Sequence, residues 1–220
     1  MGLFLVTSMP LFFAVMVSLP WERSGPIDRL SCVMLAFRGM LAFVPSAVLA
    51  LIVRGIAGAA YRPAFLHYLS IAYRDHFLFL AAGIAALLLY RRRAPFPRHG
   101  DGLFLFHLSF LCGFYALVDC FDFVVSWGAW DLYAVLLLPV LRLTEVTLVS
   151  LAASRFRARG GREPALFYAF VSAMGLAAAF LSYLYGIGWR SIATAGTLVA
   201  FAALLAYLVV AFQKVLVRER

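Results

Sequence analysis

Residues 103–153 read LFLFHLSFLCGFYALVDCFDFVVSWGAWDLYAVLLLPVLRLTEVTLVSLAA, two apolar runs joined by a short turn that carries two tryptophans. Each run, 103–125 and 131–153, is longer than the roughly 20 residues a helix needs to cross a hydrocarbon core about 30 Å thick. Inside lipid a backbone group finds no water to bond, so an unbroken apolar run of this length implies a helix. A membrane barrel would instead alternate apolar and polar positions over about ten residues, and no such alternation is present.

Working outward, further runs of the same kind lie at about 3–20, 31–53, 71–90, 164–186 and 190–212. The expectation is an all-α, polytopic integral membrane protein, with residues 1–220 forming a single transmembrane domain of about seven helices. The second run holds Arg38 and Pro45, so its limits are loose and a shifted span of about 39–60 is an alternative. Residues 54–75 include Tyr61, Pro63, Phe65, Leu66, Tyr68 and Leu69. That mixture predicts a segment lying along the membrane interface. Small residues four apart, Ala82 and Ala86, Gly175 and Ala179, Gly196 and Ala200, predict close helix contacts.

Composition agrees. The 220 residues are 65% hydrophobic and 13% charged, whereas a soluble domain carries about 25% charged residues. Too little polar surface exists to cover a water-soluble globule. The three cysteines, Cys32, Cys112 and Cys120, all fall in apolar runs and read as small core hydrophobes rather than a disulfide framework.

Basic residues fix an orientation. Of 19 in the chain, 13 fall after the first, third, fifth and seventh runs, at Arg23, Arg29, 91–93, Arg98, Arg155, Arg157, Arg159, Arg162, Lys214, Arg218 and Arg220. Positive charge collects on the cytoplasmic side, which predicts an external N-terminus and a cytoplasmic C-terminus, in the inner (cytoplasmic) membrane of a bacterium. Trp21, Trp127, Trp130 and Trp189 fall at the expected interfaces, where indoles concentrate. Residues 1–20 lack a basic start and are read as a retained helix rather than a cleaved signal. A net charge of +9 would suggest nucleic acid for a soluble protein. Placed in short loops it predicts instead a bilayer partner, with anionic lipid at the arginine-rich loops and a membrane or cytoplasmic protein as a further partner. No nucleic acid is expected.

A few polar residues interrupt the runs. Arg142 and Glu145 sit three apart near the middle of the fifth run, on one helix face. A charge there costs about 2.5–3.5 kcal/mol on insertion scales and usually faces the bundle interior. Asp119 and Asp122 repeat the spacing at the end of the fourth run, within reach of Arg142 in an antiparallel hairpin. Such a contact would leave Glu145 partly free, and the simplest reading of Asp122 is the outer water boundary. Arg74, Asp75 and His76 look like a polar cap on the outer end of the third run, with His76 snorkelling to the interface and a ligand-binding role for it as the alternative. His67, His76, His99 and His107 are split between the two faces, so no metal site is expected. No nucleotide loop and no complete nucleophile or acid–base set occurs, so neither a cofactor nor an enzyme class is implied.

In layout alone the chain resembles the seven-helix membrane modules of bacterial sensory proteins. That resemblance implies a ligand-sensing or binding module. Its pocket would lie between the fourth, fifth and sixth runs, lined by Asp119, Asp122, Arg142, Glu145, Tyr183 and Tyr185. A small-solute or proton-coupled transporter, or a structural subunit of a membrane complex, are the alternatives.

Overall fold

The apolar runs fold as helices, and no strand occurs among the described residues. The computed structural model describes residues 2–19, 29–56, 64–91, 100–125, 131, 133–158 and 164–218. The helices are α1 (Gly2–Ser18), α2 (Arg29–Ile56), α3 (Ala64–Ile71), α4 (Leu78–Arg91), α5 (Gly100–Val125), α6 (Leu138–Ala158), α7 (Pro164–Gly186) and α8 (Arg190–Arg218). Two wider π-helical turns, π1 (Ala72–Phe77) and π2 (Tyr133–Leu137), lead into α4 and α6. Six helical stretches are long and apolar enough to cross a membrane, and α1 adds a shorter one over Val6–Ser18. Most of the arginine-rich connections, with Trp21, Trp127 and Trp130, lie outside the described residues.

One sequence expectation changes here. Residues 64–75 do not form a separate interfacial segment: α3, π1 and α4 run on as one apolar stretch, Ala64–Tyr90. The reason is packing. Tyr68 donates a hydrogen bond to the Leu176 carbonyl at 2.9 Å and meets Phe180 and Tyr183 edge-on, which fixes α3 against α7. Residues 57–63 of the expected segment lie outside the described residues.

The helices α5 and α6 form the centre. Of the membrane-spanning windows, 67% of that in α5 and 78% of that in α6 is buried, against 22% in α8. The main core gathers Phe104, Leu108, Phe110, Leu111 and Phe114 of α5 with Phe43 of α2, Phe79 and Leu80 of α4 and Val146 of α6. The outer helices turn large apolar side chains outward, among them Phe4, Phe12, Leu30 and Val199. Water would penalise that surface and lipid does not, so the protein is a multi-pass membrane protein. Cys32 and Cys112 are buried as the sequence led one to expect, and Cys120 is half-buried.

A very close helix contact joins α2 to α5. A Cβ on Gly39 would stand 2.0 Å from the Phe110 carbonyl oxygen, and one on Gly113 would stand 1.8 Å from that of Ala36. Two backbones touch there with no side chain between them, the approach small residues allow in membranes. At the expected Gly175, a Cβ would come within 2.9 Å of the Phe77 ring, so α7 packs directly onto π1.

Candidate functional site: a polar cluster in the bundle core

Among the described residues, Arg142 ranks first of the large, wholly buried side chains. Its position on α6, one turn past π2, points it at the end of α5 and at π1. Its Nη1 donates to Asp119 Oδ1 at 2.7 Å, and its Nη2 donates to Asp122 Oδ2 at 2.5 Å and to the Asp75 main-chain oxygen at 3.0 Å. Two rings flank the guanidinium, Phe79 at 5.6 Å and Tyr115 at 6.0 Å from the centroids. A flat cation fits between ring faces because the quadrupole presents negative charge there. Three helical elements, α5, α6 and π1, are thereby tied through one residue.

A second group sits on the same face of α6, one turn on. His76 is fully buried, its Nδ1 3.1 Å from Glu145 Oε2 and its Nε2 2.9 Å from Ser182 Oγ. Ser182 Oγ in turn lies 3.2 Å from the Ala178 carbonyl oxygen. This line joins π1 to α6 and α7. Nearby, Arg74 holds Asp75 through two bonds of 2.6 and 2.7 Å and is itself partly exposed. The hydroxyl of Tyr133, from π2, stands beside Ser182.

Several sequence expectations need correction. Arg142 and Glu145 share a helix face yet take different partners, because Arg142 reaches across to α5 and Glu145 to π1. Asp122 does not mark the water boundary; it is buried and ion-paired. His76 does not snorkel. The π1 turn directs it inward, where Glu145 and Ser182 receive it. Ser182 is absent from the sequence reading and His76 enters it only as an alternative ligand-binding residue; the available signal was a titratable ring at the sixth position of an apolar run.

Tyr183 and Tyr185 belong to a separate aromatic layer. Tyr183 meets His67 and Tyr68 edge-on, each at 5.9 Å. Tyr185 donates to Asp131 Oδ1 at 2.7 Å, stacks on Tyr133 at 4.7 Å and lies under the Arg190 guanidinium. Tyr133 links this layer to the core cluster. Among the described residues no three His, Cys, Asp or Glu side chains converge as a metal-binding set.

Four groups in the cluster keep a buried polar atom without a protein partner: Tyr115 Oη, Asp119 Oδ2, Arg142 Nε and Glu145 Oε1. Such atoms cost more than 1 kcal/mol each in a protein interior. The cluster is therefore not optimised as a static ion pair. No protein family, curated protein or solved structure matches this chain.

Proposed function

We propose that this protein is a seven-helix membrane module that binds and senses a proton at the His76–Glu145 pair. The observation that supports it is a count of hydrogens. The contacts Glu145–His76, His76–Ser182 and Ser182–Ala178 need one hydrogen each if all three are hydrogen bonds. A carboxylate brings none, a neutral imidazole one and a hydroxyl one. The third is a bound proton. Charge agrees: Asp119 and Asp122 take up Arg142 and Asp75 takes up Arg74, which leaves His76 as the partner of Glu145.

Asp75 and Ser182 lie beside His76, Tyr115 of α5 faces Glu145, and Tyr133 of π2 reaches the pair through Ser182. The readout lies in π1. Leu78 N–H there bonds Tyr73 O, five residues back, and π turns of this kind recur at functional sites. Losing the proton removes one of the three bonds, frees either Ser182 or His76, and loosens π1 from α7.

Changing the pH around the reconstituted protein is expected to alter amide exchange of residues 72–77. Glu145→Gln is expected to abolish that change, as is His76→Asn. A pH response identical in wild type and both variants would falsify the reading. Proton or solute flux into proteoliposomes that stops in Glu145→Gln would make the same site a transport site.

The proposed orientation, N-terminus outside and C-terminus in the cytoplasm, rests on the arginine count. Reporter fusions after residues 95 and 160 are both expected to be cytoplasmic. Opposite locations would sink the seven-span plan.

A further inference from the structure

Away from the polar cluster, a cavity of about 610 Å³ opens on the side of the bundle between α6, α7 and α8. Its walls are Leu148, Leu151, Phe170, Ala200, Ala203 and Leu204. The two alanines on α8 leave the space that larger side chains would fill. The cavity runs along α6 from Thr144 to Arg155, eleven residues or about 16 Å at 1.5 Å per residue. Its volume is in the range of small-molecule sites, about 300–1,000 Å³.

Polarity is confined to the ends. Thr144 donates its hydroxyl to the Val140 carbonyl at 2.9 Å, so that end offers no free donor. At the other end Arg155 hydrogen-bonds the Tyr207 hydroxyl and lies over the Tyr207 ring, 5.4 Å from its centroid. That bond occupies one of the five N–H donors of a guanidinium. Arg157, Arg159 and Arg162 follow within seven residues.

We propose that this groove holds an acyl chain of an anionic phospholipid from the surrounding bilayer, with the phosphate bound by Arg155. A hydrocarbon slot closed by one cation matches an amphiphile with one negative head. The guanidinium fork fits phosphate oxygens in pairs, which an ammonium does not. Basic sites between transmembrane helices recognise anionic headgroups in this way. Tyr207 holds the side chain over the groove rather than letting it extend freely along the membrane surface. None of these residues belongs to the proton site, so the two proposals stand or fall separately.

The test uses the full chain purified in a neutral detergent, with phosphatidylglycerol or phosphatidylcholine of identical acyl chains added. Native mass spectrometry is expected to show retained phosphatidylglycerol, and the thermal midpoint is expected to rise with it and not with phosphatidylcholine. Arg155→Gln, at an exposed position, is expected to weaken phosphatidylglycerol binding by roughly tenfold or more, as for the loss of a charge-assisted bond. Arg155→Lys is expected to keep part of the effect. Ala203→Trp keeps the cation but fills the slot, and is expected to abolish retention; if that variant does not fold, Tyr207→Phe supplies a milder loss. Equal stabilisation by the two lipids would overturn the proposal, as would an unaltered response in Arg155→Gln. Full competition by glycerol phosphate, which has no acyl chain, would reduce the site to an anion contact and overturn the acyl assignment.

Discussion

Arg142→Met is expected to be the most damaging single change in the polar core, costing about 3–5 kcal/mol of stability. Methionine is close to arginine in volume, though shorter, and is apolar enough for the slot between Phe79 and Tyr115. It leaves Asp119 and Asp122 buried with no cation between them, and it removes the donor to the Asp75 carbonyl. The loss thus comes from stranded carboxylates rather than from a hole. The check is thermal unfolding in detergent, followed by gel filtration of the survivors. Adding Asp119→Asn and Asp122→Asn to the same chain is expected to recover most of the loss, because neutral amides are far cheaper to bury. A single variant as stable as wild type would show that the ion pairs are incidental. A triple variant no better than the single would point to shape rather than charge.

Gly113→Val is expected to be comparably severe for a different reason. Overpacking usually costs about 1–3 kcal/mol, because side chains can turn aside. Here the obstacle is the Ala36 carbonyl, 1.8 Å from where even the first added carbon would stand. Only separation of α2 from α5 can relieve it, which opens the central core. Folded protein is expected to fall sharply in membranes, with the residual fraction melting well below wild type. Gly113→Ala is expected to be milder yet clearly destabilised, and Gly39→Ala should behave alike. Gly186→Ala, where nothing lies within 4 Å, serves as the control. Indistinguishable melting of Gly113→Val and Gly186→Ala would disprove the backbone contact.

Much of this fold could be read in advance because lipid imposes one rule: runs of about 20 apolar residues become helices. Runs such as 103–125 and 164–186 obey it within a few residues. Composition could not show that residues 64–70 continue into π1 and α4, since Phe65, Leu66 and Leu69 suit an interface and a membrane helix equally. Tyr68 against α7 decides that point, a contact 108 residues distant in sequence. The site was legible in half. Arg142, Asp119 and Asp122 stood out because isolated charge in an apolar run needs a partner and the hairpin spacing supplied one. The His76–Glu145 pairing was hidden. A π turn adds a residue to the helical repeat, so face assignments made at 3.6 residues per turn misplace what lies within it. The Gly39–Gly113 contact escaped for a related reason: it pairs one glycine from each helix, whereas spacing searches look for two on the same helix.

The stretch from Ala64 to Tyr90 has 27 residues, close to 40 Å of helix at 1.5 Å per residue. The oily layer it crosses is about 30 Å deep. The rod must lean, or the lipids beside it must stretch, by an amount that changes from one membrane to another. Because π1 lies within this rod and α7 holds the α3 end through Tyr68, a change of lean is expected to bear on the joint that carries His76. On the proposed reading, membrane depth is expected to reach the buried histidine through this joint, alongside acidity.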